Sequence, residues 1–268
     1  IALSNEDLEA TLRLVYRRTK VEVTEEKEFY LLLPKTSERG YEKAIISKEK
    51  NESGIVACLK IGEWSNVLSE TFETAEGNKQ AVFRLKLVEL ASDASKLRLY
   101  FTPLCQLDGW SFPESIASQI KTKEGLPLPH ICERAFRLGW IDLRTKTEII
   151  EMQNTWFKEA GEYLLKNYPW TLFFMQAHCP DYFYHLFMNK LDPDACPDEK
   201  ERALHEEAER SFYKSLDDMI GGLVEAAGPE TLVVITSDHG AVPFYSKFNP
   251  GKLLEEAGLT VYRINEVT

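Results

Sequence analysis

Apolar positions change their spacing from one stretch of the chain to the next, and each spacing predicts an element. SNEDLEATLRLVYRR sets Leu8, Leu12, Val15 and Tyr16 at helical intervals behind Ser4 and Asp7 in capping-box order, which predicts a short amphipathic helix. From about residue 20 to 104 the segments KVEV, EFYLLLP, KAIISK, GIVACLKI, KQAVFRLKLVEL and KLRLYFTPL are short and β-rich, with Gly, Asn, Ser or Lys/Glu turns between them. Phe83, Leu85 and Leu87 alternate with Arg84 and Lys86, and Leu97, Leu99 and Phe101 alternate about Arg98. The expectation is antiparallel strands with one packed and one wet face, and ASDAS at 91–95 is the predicted turn between the last two.

Beyond Pro103 the period lengthens. FPESIASQIK, with Pro113 near its first turn, predicts a helix. KTEIIEMQNTWFKEAGEYLLKNYP predicts a longer one carrying Ile149, Met152, Trp156, Ala160, Tyr163 and Leu164, stopped by Pro169. Then come an apolar run, WTLFFMQ, the loop HCPDYFYHLFMNKLDP, and a long helix with Leu204, Ala208, Phe212, Leu216, Ile220 and Leu223 on one stripe. Gly228 and Pro229 end that helix, and a second apolar run, TLVVIT, follows. Unbroken apolar strands alternating with amphipathic helices predict an α/β fold, a parallel sheet flanked by helices. The organisation expected is a helical lead-in at 1–19, a β-rich inserted module at 20–105 and an α/β core segment at 106–268.

Composition narrows the classes of function. With 44% apolar residues, 268 residues can fill a sizeable core. A net charge of -11, from 43 acidic against 32 basic residues, works against broad contact with a phosphate backbone and so against a stable nucleic-acid complex. No apolar run approaches the roughly 20 residues of a membrane span. Cys58, Cys105, Cys132, Cys179 and Cys196 show no CxxC spacing, which leans toward a reducing, cytoplasmic setting. The chain starts at Ile and has no signal-peptide layout at its head, so it reads as a piece of something longer and the compartment stays open. GxSxG, GxxxxGK[ST] and GxGxxG are absent, and with them the usual support for serine-hydrolase, P-loop and dinucleotide readings.

The candidate chemistry lies just beyond the two apolar runs, where sites form in an open parallel sheet. WTLFFMQ is followed by Asp181 and His185, and TLVVIT by Asp238 and His239. Asp181 and His185 share a face if DYFYH is helical, and Gly240 is expected to relax the backbone so that Asp238 and His239 turn to one side. Two Asp/His pairs offer each of two divalent cations a carboxylate oxygen and an imidazole nitrogen. Each pair also has a plainer reading, a loop turn with a satisfied imidazole or, for His185 among Tyr182, Phe183, Tyr184 and Phe187, a core histidine. His178 beside Cys179 and His130 in PLPHICER match no zinc or thiolate spacing, and His205 in ERALHEEAER is expected to be solvated. DPDACPDEKE lacks the pattern of a calcium loop and is expected to be a loop and the first turn of the long helix.

TSDHGAVP followed by FNPGKLLEEAGL resembles the SDHG segment, asparagine and helix of the type I phosphodiesterase/nucleotide pyrophosphatase family, in the alkaline phosphatase superfamily. CPDYFYHLFMNKLDP resembles that family's upstream DxxxH block, and the stretch with GEWSNV, FRLKLVEL and LRLYFTPL resembles an insertion in some microbial members. SDHG is shared with sulfatases and cofactor-independent phosphoglycerate mutases, whereas the PDxxxH block favours the phosphodiesterase branch. The resemblance implies a partial alkaline phosphatase-like core, with Asp181 and His185 as two ligands of one metal and Asp238 and His239 as two of the other. Zinc is the first choice of ion, with manganese or iron as alternatives, and the substrate is a small phosphate ester or nucleotide. The resemblance also implies an upstream aspartate, a nucleophilic Thr or Ser soon after it and a late histidine, which no residue here matches. Thr11, Thr19 and Ser65 are poor substitutes. No catalytic residue is therefore assigned within the chain, and the expectation is a metal-dependent phosphoric ester hydrolase of which these residues are a part with little activity of its own. The alternatives are a sulfatase or phosphomutase of the same superfamily, or a non-catalytic binding module.

Overall fold

The computed structural model describes residues 7–14, 26–36, 40–50, 54–120, 122–123, 125–128, 133–246 and 248–261. In chain order the elements are β1 (Leu8–Leu14), β2 (Lys27–Leu33), β3 (Lys35–Thr36), β4 (Gly40–Tyr41), β5 (Lys43–Ser47), β6 (Ile55–Lys60), β7 (Leu68–Thr74), β8 (Gly77–Phe83), β9 (Leu85–Leu90), β10 (Leu97–Phe101) and β11 (Cys105–Gln106), then α1 (Ser115–Gln119), α2 (Glu133–Arg137), α3 (Leu143–Asn167), α4 (Cys179–Leu191), α5 (Glu199–Ala227) and α6 (Pro250–Glu256). The chain divides into two compact units, Ile1–Cys179 with Glu207–Ile235, and Pro180–Glu206 with Thr236–Thr268.

Local turn chemistry builds the sheets of the first unit. β1, β2, β5 and β6 form one antiparallel sheet, and β11, β8 and β7 another. β9 and β10 pair across the predicted turn, with Leu90 opposite Leu97 and the Ala91 N–H donating to the Lys96 carbonyl. Phe29, Leu31, Ile46, Leu59, Phe72, Phe83, Leu85 and Leu87 point into a shared core, as strand alternation requires. The cores of the helices follow the expected stripes in α3, where Ile149, Met152 and Ala160 are buried. An N-cap at Asp142, accepting from the Thr145 N–H at 2.7 Å, starts that helix. α3 and α5 approach closely at Gly161, where a Cβ would stand 2.4 Å from Leu223 Cδ2, and Asn154 donates to Ser215 Oγ at 2.8 Å across the same pair.

Four expectations are corrected. Residues 8–14 are a strand, not a helix: LEATLRL alternates Leu8, Ala10, Leu12 and Leu14 as well as it spaces a helix, and a seven-position antiparallel ladder with β2 decides between the two. Ser4, Val15 and Tyr16 lie outside the described residues. Lys86, expected on the wet face, is buried because its ammonium pairs with Glu148 of α3 and lies 5.4 Å from the centre of the Trp64 ring. Its neighbour face is also uneven, since Phe101 is half exposed. His205 is buried rather than solvated, with its Nδ1 2.8 Å from the Glu201 carbonyl and its ring 5.2 Å from that of Phe187.

The largest correction concerns the parallel sheet. The fold mixes helices and strands, but every ladder among the described residues is antiparallel and lies between residues 8 and 106. WTLFFMQ and TLVVIT carry no ladder among the described residues, and Leu172, Phe174 and Leu232 are 82%, 84% and 87% exposed. Apolar composition states a demand for burial; a parallel strand also needs neighbours brought from far along the chain to satisfy its N–H and C=O groups.

Candidate functional site

All four predicted ligands fall in the second unit, which joins α4 to the segment after residue 236. Asp181 stands in the first turn of α4, where a carboxylate also faces the positive end of the helix dipole. One turn later His185 projects from the same face, and its Nε2 lies 3.2 Å from Asp181 Oδ1. The His185 side chain is 69% exposed, so it is not a core histidine.

The second pair is shaped by hydrogen bonds of the loop itself. Ser237 Oγ donates to the His239 carbonyl at 2.7 Å, and the His239 N–H donates to Asp238 Oδ1 at 3.1 Å. His239 Nδ1 lies 2.9 Å from the Gly240 carbonyl; since a carbonyl only accepts, Nδ1 carries a proton, and in the neutral imidazole Nε2 keeps its lone pair. That Nε2 is 3.7 Å from Asp238 Oδ2 and 3.9 Å from Asp181 Oδ1. The Gly240 carbonyl, then the charge of Asp238, and more weakly that of Asp181, push the His239 imidazole above its ordinary pKa, against the opposing effect of desolvation. Gly240 does not play the part expected of it: it is not among the left-handed glycines, and a Cβ there would meet open space.

Asp181 thus sits between two imidazoles, one from its own helix and one from the loop, with Asp238 behind the second. This donor set suits a divalent cation in its chemistry, one carboxylate oxygen and one imidazole nitrogen on each element. It stops at pairs, for among the described residues no group of three or more His, Cys, Asp or Glu is placed to hold a metal ion.

The other candidates part company with it. Cys179 is buried, and burial first of all pushes its thiol up to about 11, so it is a poor source of thiolate. His130 and Cys132 lie outside the described residues. The acidic run is a turn and a helix start as expected, with Asp192 Oδ1 accepting from the Asp194 and Ala195 N–H groups and Asp198 Oδ1 from those of Lys200 and Glu201. Sequence reasoning missed Asn189, which lies four residues beyond His185 and bonds through both ends of its amide to the backbone of Phe244. It also missed Tyr245, whose hydroxyl donates to Asp192 Oδ1 at 3.1 Å. Continuing the four-residue count from Asp181 and His185 would have reached Asn189; nothing in VPFY announces Tyr245.

The model of one family, Type I phosphodiesterase / nucleotide pyrophosphatase, matches residues 95–267, more than half of the chain. The chain belongs to this family. No match was found among curated proteins or among solved structures. Membership of the type I phosphodiesterase family supports a phosphodiesterase- or pyrophosphatase-like hydrolase of phosphoric esters at the level of the family, which is generally metal-dependent and which a small-molecule substrate fits. All four Asp and His residues of the two pairs lie in the matched phosphodiesterase region, and β1 to β9 lie before it. No helix among the described residues is long and apolar enough to cross a membrane.

Proposed function

We propose that Asp181, His185, Asp238 and His239 hold two divalent cations, zinc first, in a site that hydrolyses a small phosphate ester or nucleotide. Asp181 and His185 serve one cation, Asp238 and His239 the other. What carries the reading is the meeting of the two pairs: Asp181 Oδ1 lies within 4 Å of the imidazole Nε2 atoms of both His185 and His239, in a region matched by the family. Bound cations supply neutralisation of phosphate charge and a lowered pKa for an attacking oxygen.

The chain's own residues do the positioning. The Nδ1–H of His239, given to the Gly240 carbonyl, fixes the tautomer and directs Nε2 outward, the arrangement that ligating histidines use. Asp181 and His185, one turn apart on α4, present their oxygen and nitrogen to the same cation. On this reading the nucleophilic Thr or Ser, and the groups that complete each pair, come from outside residues 1–268, and these residues alone turn over little substrate. The β-rich module at 20–105 is read as an insertion beside the hydrolase core.

The test is hydrolysis of a chromogenic phosphodiester by the chain extended at both ends, with and without a chelator, and with a chromogenic sulfate ester in parallel. Chelation and Asp238→Ala should each reduce phosphodiester turnover by at least a hundredfold. Near-normal turnover in Asp238→Ala sinks the assignment, and preference for the sulfate ester moves the chain to the sulfatase reading.

A further inference from the structure

Asp181, His185 and Asn189 recur every fourth residue, so one stripe of α4 carries all three. Asn189 ends that stripe with a two-point contact: its Nδ2 donates to the Phe244 carbonyl, and its Oδ1 accepts the Phe244 N–H at 3.0 Å. Both hydrogen-bonding groups of one loop residue are thereby met by one side-chain amide, much as a neighbouring strand would meet them. The next residue is fastened too, since the Tyr245 hydroxyl reaches Asp192 Oδ1, the oxygen that also organises the turn after α4. Phe244 and Tyr245 are exposed, so polar bonds rather than burial hold this end of the loop. Five residues before Phe244 the same loop carries His239, and Pro243 removes one of the few soft dihedrals between them.

We propose that Asn189 is a positioning residue: by pinning the Phe244 backbone to α4 it sets how far His239 and Asp238 stand from Asp181 and His185. The proposal rests on the reading of those four residues as metal ligands. It uses no charge of Asn189 and no contact of Asn189 with substrate or metal. It also explains why a loop so open holds the His239 Nε2 within 4 Å of an oxygen on another element.

The test is Asn189→Ala in the 268-residue chain, with Tyr245→Phe as the milder variant. Far-ultraviolet circular dichroism confirms that α4 survives, alanine being the better helix former. In metal-free protein the Phe244 amide should exchange at least tenfold faster in Asn189→Ala, and the His239 backbone and ring 15N resonances should move. Titration with cobalt(II) of the chain extended at both ends, followed by its visible absorption, should show an affinity about tenfold weaker in Asn189→Ala, the lower end of what loss of a group supporting a ligand causes. Tyr245→Phe should shift each readout in the same direction and less. Unchanged exchange at Phe244, or unmoved His239 resonances, or wild-type cobalt binding in Asn189→Ala overturns the proposal. If the wild-type chain binds no cobalt even when extended at both ends, while Asn189→Ala still speeds exchange and moves His239, the clamp stands and the metal reading falls.

Discussion

Between Lys27 and Gln106, Phe29, Leu31, Phe72, Phe83 and Leu87 are closed over by partners from nearby in the chain; Leu172 and Phe174 of one later run, and Leu232, Val234 and Ile235 of another, are equally apolar and mostly open. The first region finds its neighbours through short connections. Thr74 pairs with Gly77 across two residues, and Leu90 with Leu97 across the turn at 91–96. Each run of the second follows a long helix, α3 or α5, and no described strand pairs with it across a turn, so any ladder there would have to recruit a distant strand and bear the loop-closure cost first. Apolarity alone specifies removal from water; turn chemistry specifies who does the covering.

The sharpest test of this contrast is a truncation in the closed region. Phe83 is fully buried, edge-on to Phe29 with ring centroids 6.4 Å apart. Phe83→Ala should cost roughly 3–5 kcal/mol, the range for emptying a packed aromatic site, read as a shift of the denaturation midpoint at unchanged slope. A loss below about 1 kcal/mol would mean that the sheet core is loosely filled.

Next in size is the polar node that ties this β-rich region to α3. Glu148 accepts from Trp64 Nε1 at 2.7 Å and from Arg144 Nε at 2.9 Å, and it pairs with the buried Lys86. Removing the carboxylate in Glu148→Ala leaves an ammonium buried without its counter-charge, which should cost about 3 kcal/mol. Adding Lys86→Met should recover a good part of that, because the orphaned charge goes with it. Equal stability of the single and double variants would show that the lysine finds water instead.

These particulars also say how much was legible in the sequence. The hairpin at 91–95 and the long helices were readable because their signals are local: turn residues, a 3.6-residue period, and Gly228 with a φ of 84° at the end of α5. β1 was not, because LEATLRL fits both periods and only its partner chooses. Lys86 and His205 were not, because the groups that justify burying them, Glu148 and the Phe187 ring, are distant in sequence. Within the candidate site, i and i+4 placed Asp181 against His185 on sequence alone. The orientation of His239 depends on three hydrogen bonds of a loop whose geometry no periodicity encodes.

The smallest predicted effect is the one that most directly tests the contrast. Phe174 is the same residue type as Phe83 but 84% exposed, so its ring already meets water in the folded chain and little changes when it is cut back. Phe174→Ala should therefore alter stability by no more than about 0.5 kcal/mol, the range for surface positions without special contacts. It should also reduce binding of a hydrophobic dye, since an open apolar run is what such dyes report. If Phe174→Ala instead costs as much as Phe83→Ala, the run is covered in solution, and the difference between the two regions lies in what covers them rather than in whether they are covered.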